Sequence, residues 1–232
     1  MQAVILAAGR GTRMGDLVKD RPKPMLEVAG KTLLEHKFDA LPDEVDEIIL
    51  VVGYLADVIK EKYGESYDGK RITYVTQENP VAGTMDALSK ARLVVSGKFL
   101  VMNGDNIYSK QDMEKCLSLE WAAAVSQTDS LGHGAMVITT EDGTVLDIIE
   151  SKFHTGGSGF ENMNLYAFDT RIFHHPLVPK GPGSSELGMP QTAVAASKAM
   201  GISFKIVQSS FWIQIKGPED LARAERILSA RV

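Results

Sequence analysis

The order of apolar runs in the first 103 residues constrains the fold of this chain more than any other feature. Short apolar or alternating runs predict β-strands at residues 4–6, 47–52, 71–76 and 99–102. Helical spacing of apolar side chains predicts helices between these strands, at residues 31–41, 55–63 and 83–94. Strands that alternate with helices pair in parallel through right-handed crossovers. This part of the chain therefore predicts an α/β fold with a doubly wound sheet.

The pattern changes beyond residue 110, where strands begin to follow one another directly. Strands are predicted at residues 121–127, 134–140, 144–150, 162–168, 203–207 and 211–215, and helices at residues 111–119, 191–200 and 218–230. The tripeptide at 141–143, Glu-Asp-Gly, is a strong hairpin signal. The proline- and glycine-rich segment 176–190 predicts a surface loop or lid. Residues 1–232 are therefore predicted to form one domain, with a mixed, mostly parallel sheet and a small inserted β-hairpin subregion.

A glycine-rich, basic loop follows the first predicted strand directly. Gly9 and Gly11 allow a tight turn in which backbone N–H groups face an anion. The cations of this segment are Arg10, Arg13, Lys19, Arg21 and Lys23. Against Asp16 and Asp20 they give the segment a local charge of about +3, whereas the whole chain carries −5. A positive pocket on an acidic protein favours a small anionic ligand over nucleic acid, which needs a broad basic face.

This loop differs from two familiar phosphate-binding loops. Met14 stands where the dinucleotide fingerprint GxGxxG needs its third glycine, so binding of NAD is weakly supported. Residues 25–32 end like a Walker loop, but Met25 stands in place of the first glycine. The remaining interpretation is a nonstandard nucleotide loop in which Arg13 and Lys23 face a triphosphate.

Composition limits the class of protein and its surroundings. The hydrophobic fraction is 44%, an ordinary value for a globular chain, and no apolar run approaches the length of a membrane span. The single cysteine, Cys116, is predicted to be a buried packing thiol. We therefore expect a protein of the cytoplasm that binds neither membranes nor nucleic acid.

Five motifs together resemble the nucleotide-sugar pyrophosphorylases, the sugar-1-phosphate nucleotidyltransferases. The opening motif is LAAGRGTRM, followed by RPKPML, and the others, in the family's order, are QENPVAGTMDAL, VMNGD, ENMNLYAF and WIQIKGPEDL. The resemblance covers nearly the whole chain. It implies a Rossmann-like nucleotidyltransferase fold with a nucleotide-binding half at 1–110 and an acceptor-binding half at 111–232. It also implies a nucleoside triphosphate and a sugar 1-phosphate as substrates, Mg²⁺ as the cofactor, and a stand-alone catalytic domain, with homo-oligomerisation left open.

The resemblance also implies roles for particular residues. Arg13, Lys23 and Asp105 are the implied catalytic residues, with Asp105 as a metal ligand and the two cations on the phosphates. The implied nucleotide-binding residues are Leu6, Ala8, Gly9, Gly11, Thr12, Arg13, Gln77, Gly83, Thr84, Asn103 and Asp105. Gln77 would contact the base, and Thr84 is expected to cap the helix that begins there. On the acceptor side, Lys152 would contact the sugar phosphate, and Glu150 or Asn162 would bind sugar hydroxyls.

Several positions depart from the family pattern. Gln214 stands where the family commonly has an aspartate as its second metal ligand, and a glutamine carbonyl coordinates Mg²⁺ more weakly. Either Asp105 and the phosphates hold the ion with weaker help from Gln214, or Lys216 supplies some of the missing positive charge. Asn164 replaces a usual glycine, and Met85-Asp86 replaces small or neutral residues.

Three functions remain open at this point. The first is a metal-dependent nucleotidyltransferase that joins a nucleoside triphosphate to a sugar 1-phosphate. The second keeps this chemistry but is a cytidylyltransferase acting on a polyol phosphate, phosphocholine or a phosphonate. The third, suggested by Gln214, is a nucleotide-sugar sensor that binds without turnover.

Overall fold

The computed structural model describes residues 1–132 and 134–230, so His133 and the last two residues of the predicted domain lie outside the described part. The strands are β1 (Gln2–Leu6), β2 (Glu27–Val28), β3 (Lys31–Thr32), β4 (Glu47–Val52), β5 (Ser66–Tyr67), β6 (Lys70–Thr76), β7 (Lys98–Asn103), β8 (Asn106–Tyr108), β9 (Trp121–Thr128), β10 (Met136–Thr139), β11 (Val145–Ile149), β12 (Gly159–Asp169), β13 (Phe204–Gln208) and β14 (Trp212–Gln214). The α-helices are α1 (Leu33–Ala40), α2 (Ala56–Tyr63), α3 (Thr84–Lys90), α4 (Lys110–Leu117), α5 (Met189–Met200) and α6 (Pro218–Ser229).

The central sheet has ten strands, and its longest path runs β11-β10-β12-β7-β1-β4-β6-β5. Strands β6, β4, β1 and β7 are parallel neighbours, and β9 and β13 are also parallel to each other. The long strand β12 runs antiparallel to both β7 and β9. The predicted mixed, mostly parallel α/β sheet is therefore confirmed.

The chain order reverses at β1. The connections from β1 through β4 to β6 move toward one edge of the sheet, and β7 then returns to pair with the other side of β1. Leu6 and Asn103 are partners at the carboxyl ends of β1 and β7. Open α/β sheets bind ligands beyond the carboxyl ends of the strands at such a reversal.

Helices cover both faces of the sheet. Val4 contributes to the core shared with α3 and α5, whereas Ala3 and Ile5 contribute to the core shared with α1, α2 and α4. This alternation follows from the two-residue period of a strand. Cys116 is buried in the second of these cores, as predicted, and burial raises the pKa of its thiol to about 12.

The second half adds antiparallel elements. Strands β10 and β11 form the predicted hairpin, with Met136 opposite Ile149. Between Asn162 and Tyr166 the pairing of β12 with β9 shifts register. Asn164 lies within this bulge at φ +57°, which explains why asparagine stands at a usual glycine position, since asparagine tolerates left-handed backbone better than most residues.

Each α-helix differs from its predicted bounds at one end or both, by one or two residues except at the end of α3. The first begins at Leu33 rather than residue 31, because Thr32 caps it together with Glu35 in a capping box. The helix over 83–94 ends at Lys90 and gives way to turns. In residues 1–132 and 134–230, no helix is both long and apolar enough to cross a membrane.

Candidate functional site

A cavity of about 320 Å³ opens where the carboxyl ends of β1 and β7 meet. It is lined by Leu6, Ala7, Ala8, Gly9, Gly11, Thr12, Arg13, Lys23, Pro24, Gln77, Pro80, Gly83, Thr84, Ala87, Asn103, Gly104, Asp105, Lys180 and Glu186. Every residue predicted to bind nucleotide, together with Lys23, lies on this one wall. The structure thus brings the predicted set together, while the role of each residue stays a prediction.

The glycine loop has unused backbone donors, and two of its residues, Gly9 and Gly11, line the cavity. Among the described residues, no acceptor takes the N–H groups of Gly9, Arg10 or Gly11. Gly11 has φ +61°, and a Cβ there would lie 2.8 Å from the Cβ of Lys23. Glycine is therefore needed both for the turn and for the close approach of the loop to Lys23. Successive free N–H groups of this kind form an anion-binding concavity.

The cations of the basic segment separate into two groups. Lys19 and Arg21 pair with Asp16 and Asp20 on the surface, and neither of these cations lines the cavity. Arg13 lines the cavity, and no carboxylate within the described residues pairs with it. The positive charge that faces the cavity from this segment therefore comes from Arg13 and Lys23.

Lys23 and Asp105 form an ion pair in the cavity wall. The Nζ of Lys23 lies 2.7 Å from Oδ2 of Asp105, and the side chains are 7% and 28% exposed. Asp105 occupies the turn between β7 and β8, and its carbonyl accepts the N–H of Ile215 at 3.2 Å. The pair places one cation and one carboxylate at the edge where a triphosphate would lie.

Gln77 has one side of its amide fixed. Its Nε2 donates to Oδ2 of Asp86 at 2.9 Å and to the carbonyl of Gly83 at 3.2 Å. Gln77 is only 4% exposed, and it lines the cavity. With its N–H groups engaged, the amide oxygen remains as the acceptor for a ligand.

The expectation that Thr84 caps α3 is wrong. Gly83 is the N-cap residue, and Thr84 is the first helical residue, so its side chain makes no capping bond. Its hydroxyl instead accepts the N–H of Met189 at 3.1 Å. Gly83 takes the cap position with an extended, positive-φ backbone (φ +100°, ψ 175°) that glycine adopts readily, and the helix proper begins at Thr84.

The predicted loop 176–190 docks onto the start of α3. The Leu187 carbonyl accepts the N–H of Met85 at 3.0 Å, and the Leu187 N–H donates to Ala82 at 2.8 Å. Pro179 and Leu187 form an isolated β-bridge that closes the loop on itself. Lys180 and Glu186 thereby reach the wall of the cavity.

A second cavity, of about 310 Å³, adjoins the first. Lys180 and Glu186 line both cavities, and Glu150 and Lys152 line the second. The Nζ of Lys180 lies 3.4 Å from Glu186 and 3.7 Å from Glu150. The second cavity therefore holds two lysines and two glutamates, a polar wall suited to a phosphorylated, hydroxylated molecule.

Two of the three predicted acceptor residues lie in this second cavity, and the third does not. Asn162 lines neither cavity. Its Oδ1 accepts the hydroxyl of Tyr166 at 2.8 Å and the N–H of Asn164 at 3.1 Å. These bonds hold the bulge of β12 together. Of the two residues considered for the sugar hydroxyls, Glu150 is the one that faces a cavity.

Asn103, Asp105 and Gln214 carry oxygen atoms of the kind that a hard cation such as Mg²⁺ accepts, but Gln214 lines neither cavity. The Oδ1 of Asn103 and the Oε1 of Gln214 are buried, and neither has a hydrogen-bond partner in the described chain. Gln214 pairs with Asn106 across the β8–β14 ladder, one residue from Asp105. Carboxylate and amide oxygens are ligands that Mg²⁺ accepts, although no three His, Cys, Asp or Glu side chains of the described residues group into a metal site. Lys216 instead faces Glu161, at 3.4 Å.

Sequence reasoning missed three charged residues. Lys180 and Glu186 lie in the segment predicted only as a loop. The sequence feature that could have indicated them is the presence of charged side chains in a proline- and glycine-rich run. Lys37 lies in α1 and is fully buried. Burial lowers its pKa to about 7, against the opposing effect of Asp105 and with a further lowering by Lys23. Its signal is its position beside Phe38, four residues after Leu33, on the apolar face of the helix.

Comparisons with known proteins agree with this arrangement. The family model described as nucleotidyl transferase matches residues 2–224. The UTP–glucose-1-phosphate uridylyltransferase AglF of Haloferax volcanii is 31% identical, over 98% of this chain and 96% of its own. The bifunctional protein GlmU of Methanococcus maripaludis is 32% identical over 97% of this chain, which spans only 53% of that relative. The chain thus spans about half the length of the GlmU relatives it matches.

A solved structure gives the same result for the fold. The inositol-1-phosphate CTP transferase from T. maritima superimposes with a TM-score of 0.78, over 98% of this chain and 94% of its own, at 18% identity. The order of strands, the cavity at the reversal and the match along nearly the whole sequence lead to one conclusion: the chain belongs to the nucleotidyl transferase family.

Proposed function

We propose that this chain joins a nucleoside triphosphate to a sugar 1-phosphate, giving a nucleotide sugar and pyrophosphate. One observation carries the proposal. The cavity that gathers the free N–H groups of the glycine loop, Arg13, Lys23 and Asp105 adjoins a second polar cavity that holds Lys152. A donor and an acceptor bound in the two cavities would meet at Lys180, which lines both.

The reaction requires little covalent chemistry from the protein. A phosphate oxygen of the sugar 1-phosphate attacks the α-phosphorus of the triphosphate and forms the new P–O bond. The bond between the α-phosphorus and its bridging oxygen to the β-phosphorus breaks, and pyrophosphate leaves with the electron pair. Catalysis is then mainly positioning and charge neutralisation. Arg13, Lys23 and the N–H groups of Gly9 to Gly11 neutralise and orient the phosphates.

Asp105, with help from Asn103 and Gln214, would hold a divalent cation, which we propose to be Mg²⁺. When bound, the ion supplies positive charge to the phosphate oxygens. Lys23 has a second task in this scheme, since it neutralises Asp105 in the ligand-free protein and must exchange that carboxylate for phosphate oxygens. Because the Lys23 side chain is almost fully buried, its Nζ can move from the carboxylate to the phosphates only along the lining of the cavity.

The name of one relative provides the first substrates to test. AglF is named for UTP and glucose 1-phosphate, and we propose a substrate pair of this chemical class. The Oε1 of Gln77 would accept a hydrogen bond from the base, and Glu150 would bind sugar hydroxyls. We also propose that the protein works in the cytoplasm, since its one thiol is buried and its substrates are phosphorylated metabolites.

A substrate panel tests the proposal. Purified protein is incubated with Mg²⁺, each of four nucleoside triphosphates and a set of phosphorylated acceptors, and pyrophosphate release is measured. Release that depends on a sugar 1-phosphate supports the proposal. Release only with CTP and a polyol phosphate, phosphocholine or a phosphonate would show that the protein is a cytidylyltransferase with one of these acceptors and not a sugar 1-phosphate. Nucleotide-sugar binding by calorimetry without any release would indicate a sensor.

We expect Gln214→Asp to lower the Mg²⁺ concentration needed for half-maximal activity by about tenfold, because a charged ligand replaces a neutral one. A magnesium titration of pyrophosphate release measures the effect. Gln208→Asp, an exposed position on β13, is the matched control and should leave the titration unchanged. An unchanged titration for Gln214→Asp would show that position 214 does not face the ion.

We expect Lys152→Ala to raise the KM for the sugar phosphate by about 10- to 100-fold, because hydrogen bonds to charged groups contribute about 1.5–3 kcal/mol. The KM for the triphosphate should stay within about twofold, since Lys152 lines only the second cavity. Lys115→Ala, at an exposed position of α4, controls for loss of a surface charge. Equal KM values for the acceptor in wild type and Lys152→Ala would remove Lys152 from the site.

A further inference from the structure

Lys37 is a buried lysine that the proposed reaction does not use. It lies on α1 with an exposed fraction of 0%. Its Nζ donates to two carbonyl oxygens, that of Leu33 at 2.8 Å and that of Gly104 at 2.9 Å. Within the described residues, no carboxylate lies within ion-pair distance of it. Lys37 is therefore hydrogen-bonded to two backbone carbonyls and, within the described residues, has no carboxylate as a counter-ion.

One of these two bonds crosses to the site. The bond to Leu33 stays within the same helix, but Gly104 directly precedes Asp105 in the turn after β7. The N–H of Gly104 donates to Leu6 at 2.8 Å. Gly104 is thus held by β1 through its N–H and by α1 through its carbonyl, and this carbonyl belongs to the peptide group that leads into Asp105.

The front of the same turn is held differently. There Lys23 pairs with the Asp105 carboxylate at 2.7 Å, and in the proposed reaction this lysine turns to the phosphates. When Lys23 turns to the phosphates, Asp105 loses its ion-pair partner. The Asp105 carboxylate must nevertheless stay in position to bind the cation. The bond from Lys37 to Gly104 reaches the turn from the core, so the exchange does not require it to break.

Burying a lysine is costly, and the helix does not need one here. Removing an ammonium from water carries a penalty of several kcal/mol unless its partners compensate fully. The neighbours of Lys37 on the buried face of α1 are Leu33, Leu34 and Phe38, so an apolar side chain would suit the packing. A residue retained against such a cost is expected to serve the site.

We propose that Lys37 is a positioning residue for Asp105. It holds the Gly104 carbonyl so that the Asp105 carboxylate keeps its position in the cavity wall when Lys23 moves to the triphosphate. The inference rests on the proposed function, because only that function makes Asp105 a metal ligand. The bond from Lys37 to the Gly104 carbonyl is part of the fold whatever the function. Loss of the Lys37 bond should therefore weaken metal and nucleotide binding as well as lower turnover.

The test compares Lys37→Met, Lys37→Gln and Lys98→Met. Methionine keeps most of the length of the side chain without a donor, whereas glutamine retains an N–H donor without the charge. Lys98 is the matched control, because it is a half-buried lysine at the opposite end of β7 that donates to the carbonyls of Leu117 and Leu119. Thermal unfolding, binding of Mn²⁺ with a non-hydrolysable triphosphate by electron paramagnetic resonance, and steady-state kinetics are measured for all three.

We expect Lys37→Met to weaken Mn²⁺ binding and to lower kcat by about 10- to 100-fold each, the range found when an outer partner of a metal ligand is removed. Lys37→Gln should recover part of this loss, and the KM for the sugar phosphate should stay within twofold. Lys98→Met should change only the unfolding temperature. Metal binding and kcat equal to wild type in a folded Lys37→Met protein would overturn the proposal.

Two further readouts keep the result decisive. If neither Lys37 variant folds, proton exchange of the Lys37 ammonium is followed by NMR in wild-type protein with labelled lysines, and it should stay as slow as in a hydrogen-bonded ammonium when Mg²⁺ and the triphosphate analogue are added. Faster exchange at Lys37 on addition of both would show that the bond to Gly104 is lost and would overturn the proposal. If wild type binds Mn²⁺ and nucleotide but turns over no substrate pair, the proposed function fails, whereas the comparison of Mn²⁺ affinities still decides the role of Lys37.

Discussion

Asp105→Asn should lower kcat by about 1,000-fold and leave the protein folded. Removal of one group that stabilises charge in the transition state commonly has an effect of about this size. The substitution keeps the size of the side chain but removes the charge that a divalent cation needs. Its amide oxygen still accepts the buried Nζ of Lys23, so that cation is not left without a partner. Asp105→Ala removes this acceptor as well, and it should reduce turnover equally while destabilising the fold more.

Pyrophosphate release at several Mg²⁺ concentrations, together with thermal unfolding, measures both effects. Asp43→Asn is the matched control, because Asp43 also pairs with a lysine, at 2.6 Å from Lys110, but at the surface. That variant should retain wild-type turnover. Retention of activity by Asp105→Asn at ordinary Mg²⁺ would refute the assignment of Asp105 as the metal ligand.

Gly83→Ala should both destabilise the protein and raise the KM for the triphosphate by more than tenfold. A Cβ at this position would lie 2.3 Å from the carbonyl oxygen of Leu187, which is backbone and cannot rotate away. The residue also has φ +100°, where a side chain adds strain of about 1–3 kcal/mol. Relief requires loop 176–190 to separate from α3, which displaces Lys180 and Glu186 from the cavity and frees Gln77 from its Gly83 acceptor.

Gly97→Ala separates the two causes. Gly97 also has a positive φ, +58°, but a Cβ there meets no atom within 4 Å. Its substitution should lower the unfolding temperature by strain alone and leave the KM for every substrate unchanged. If Gly83→Ala showed the same pattern as Gly97→Ala, the docking of Leu187 on the start of α3 would have no part in nucleotide binding.

The fold was largely predictable because its signals are local. A continuous apolar run predicts β4, a period of 3.6 residues predicts α2 and α3, and a turn tripeptide predicts the β10–β11 hairpin. The motifs indicated the family because they too are local signals. A glycine loop that directly follows a strand lies at the carboxyl edge of the sheet. The residues predicted to bind nucleotide therefore line one cavity.

The features that sequence did not predict depend on contacts between distant segments. Nothing near Thr84 indicates that its hydroxyl is taken by Met189. Asn162 matches a motif, but the register shift in β12 turns its amide to Tyr166 and Asn164. Lys37 has a charged side chain at a position where helical periodicity expects an apolar one. Such residues show their partners only in three dimensions.

The docking of Leu187 on the segment around Gly83 also affects how the protein is made. During synthesis, the strands β1, β4, β6 and β7 emerge before loop 176–190, so the N–H of Met85 has no Leu187 carbonyl to donate to until late in translation. Contacts of such large sequence separation are formed slowly, because the chain entropy of closing the loop is spent first. A half-made chain thus has its glycine loop but lacks a complete nucleotide cavity. Under the proposed function, a nucleotide would bind the finished fold in preference to the half-made chain and would stabilise it in proportion to the logarithm of the nucleotide concentration once binding is saturated.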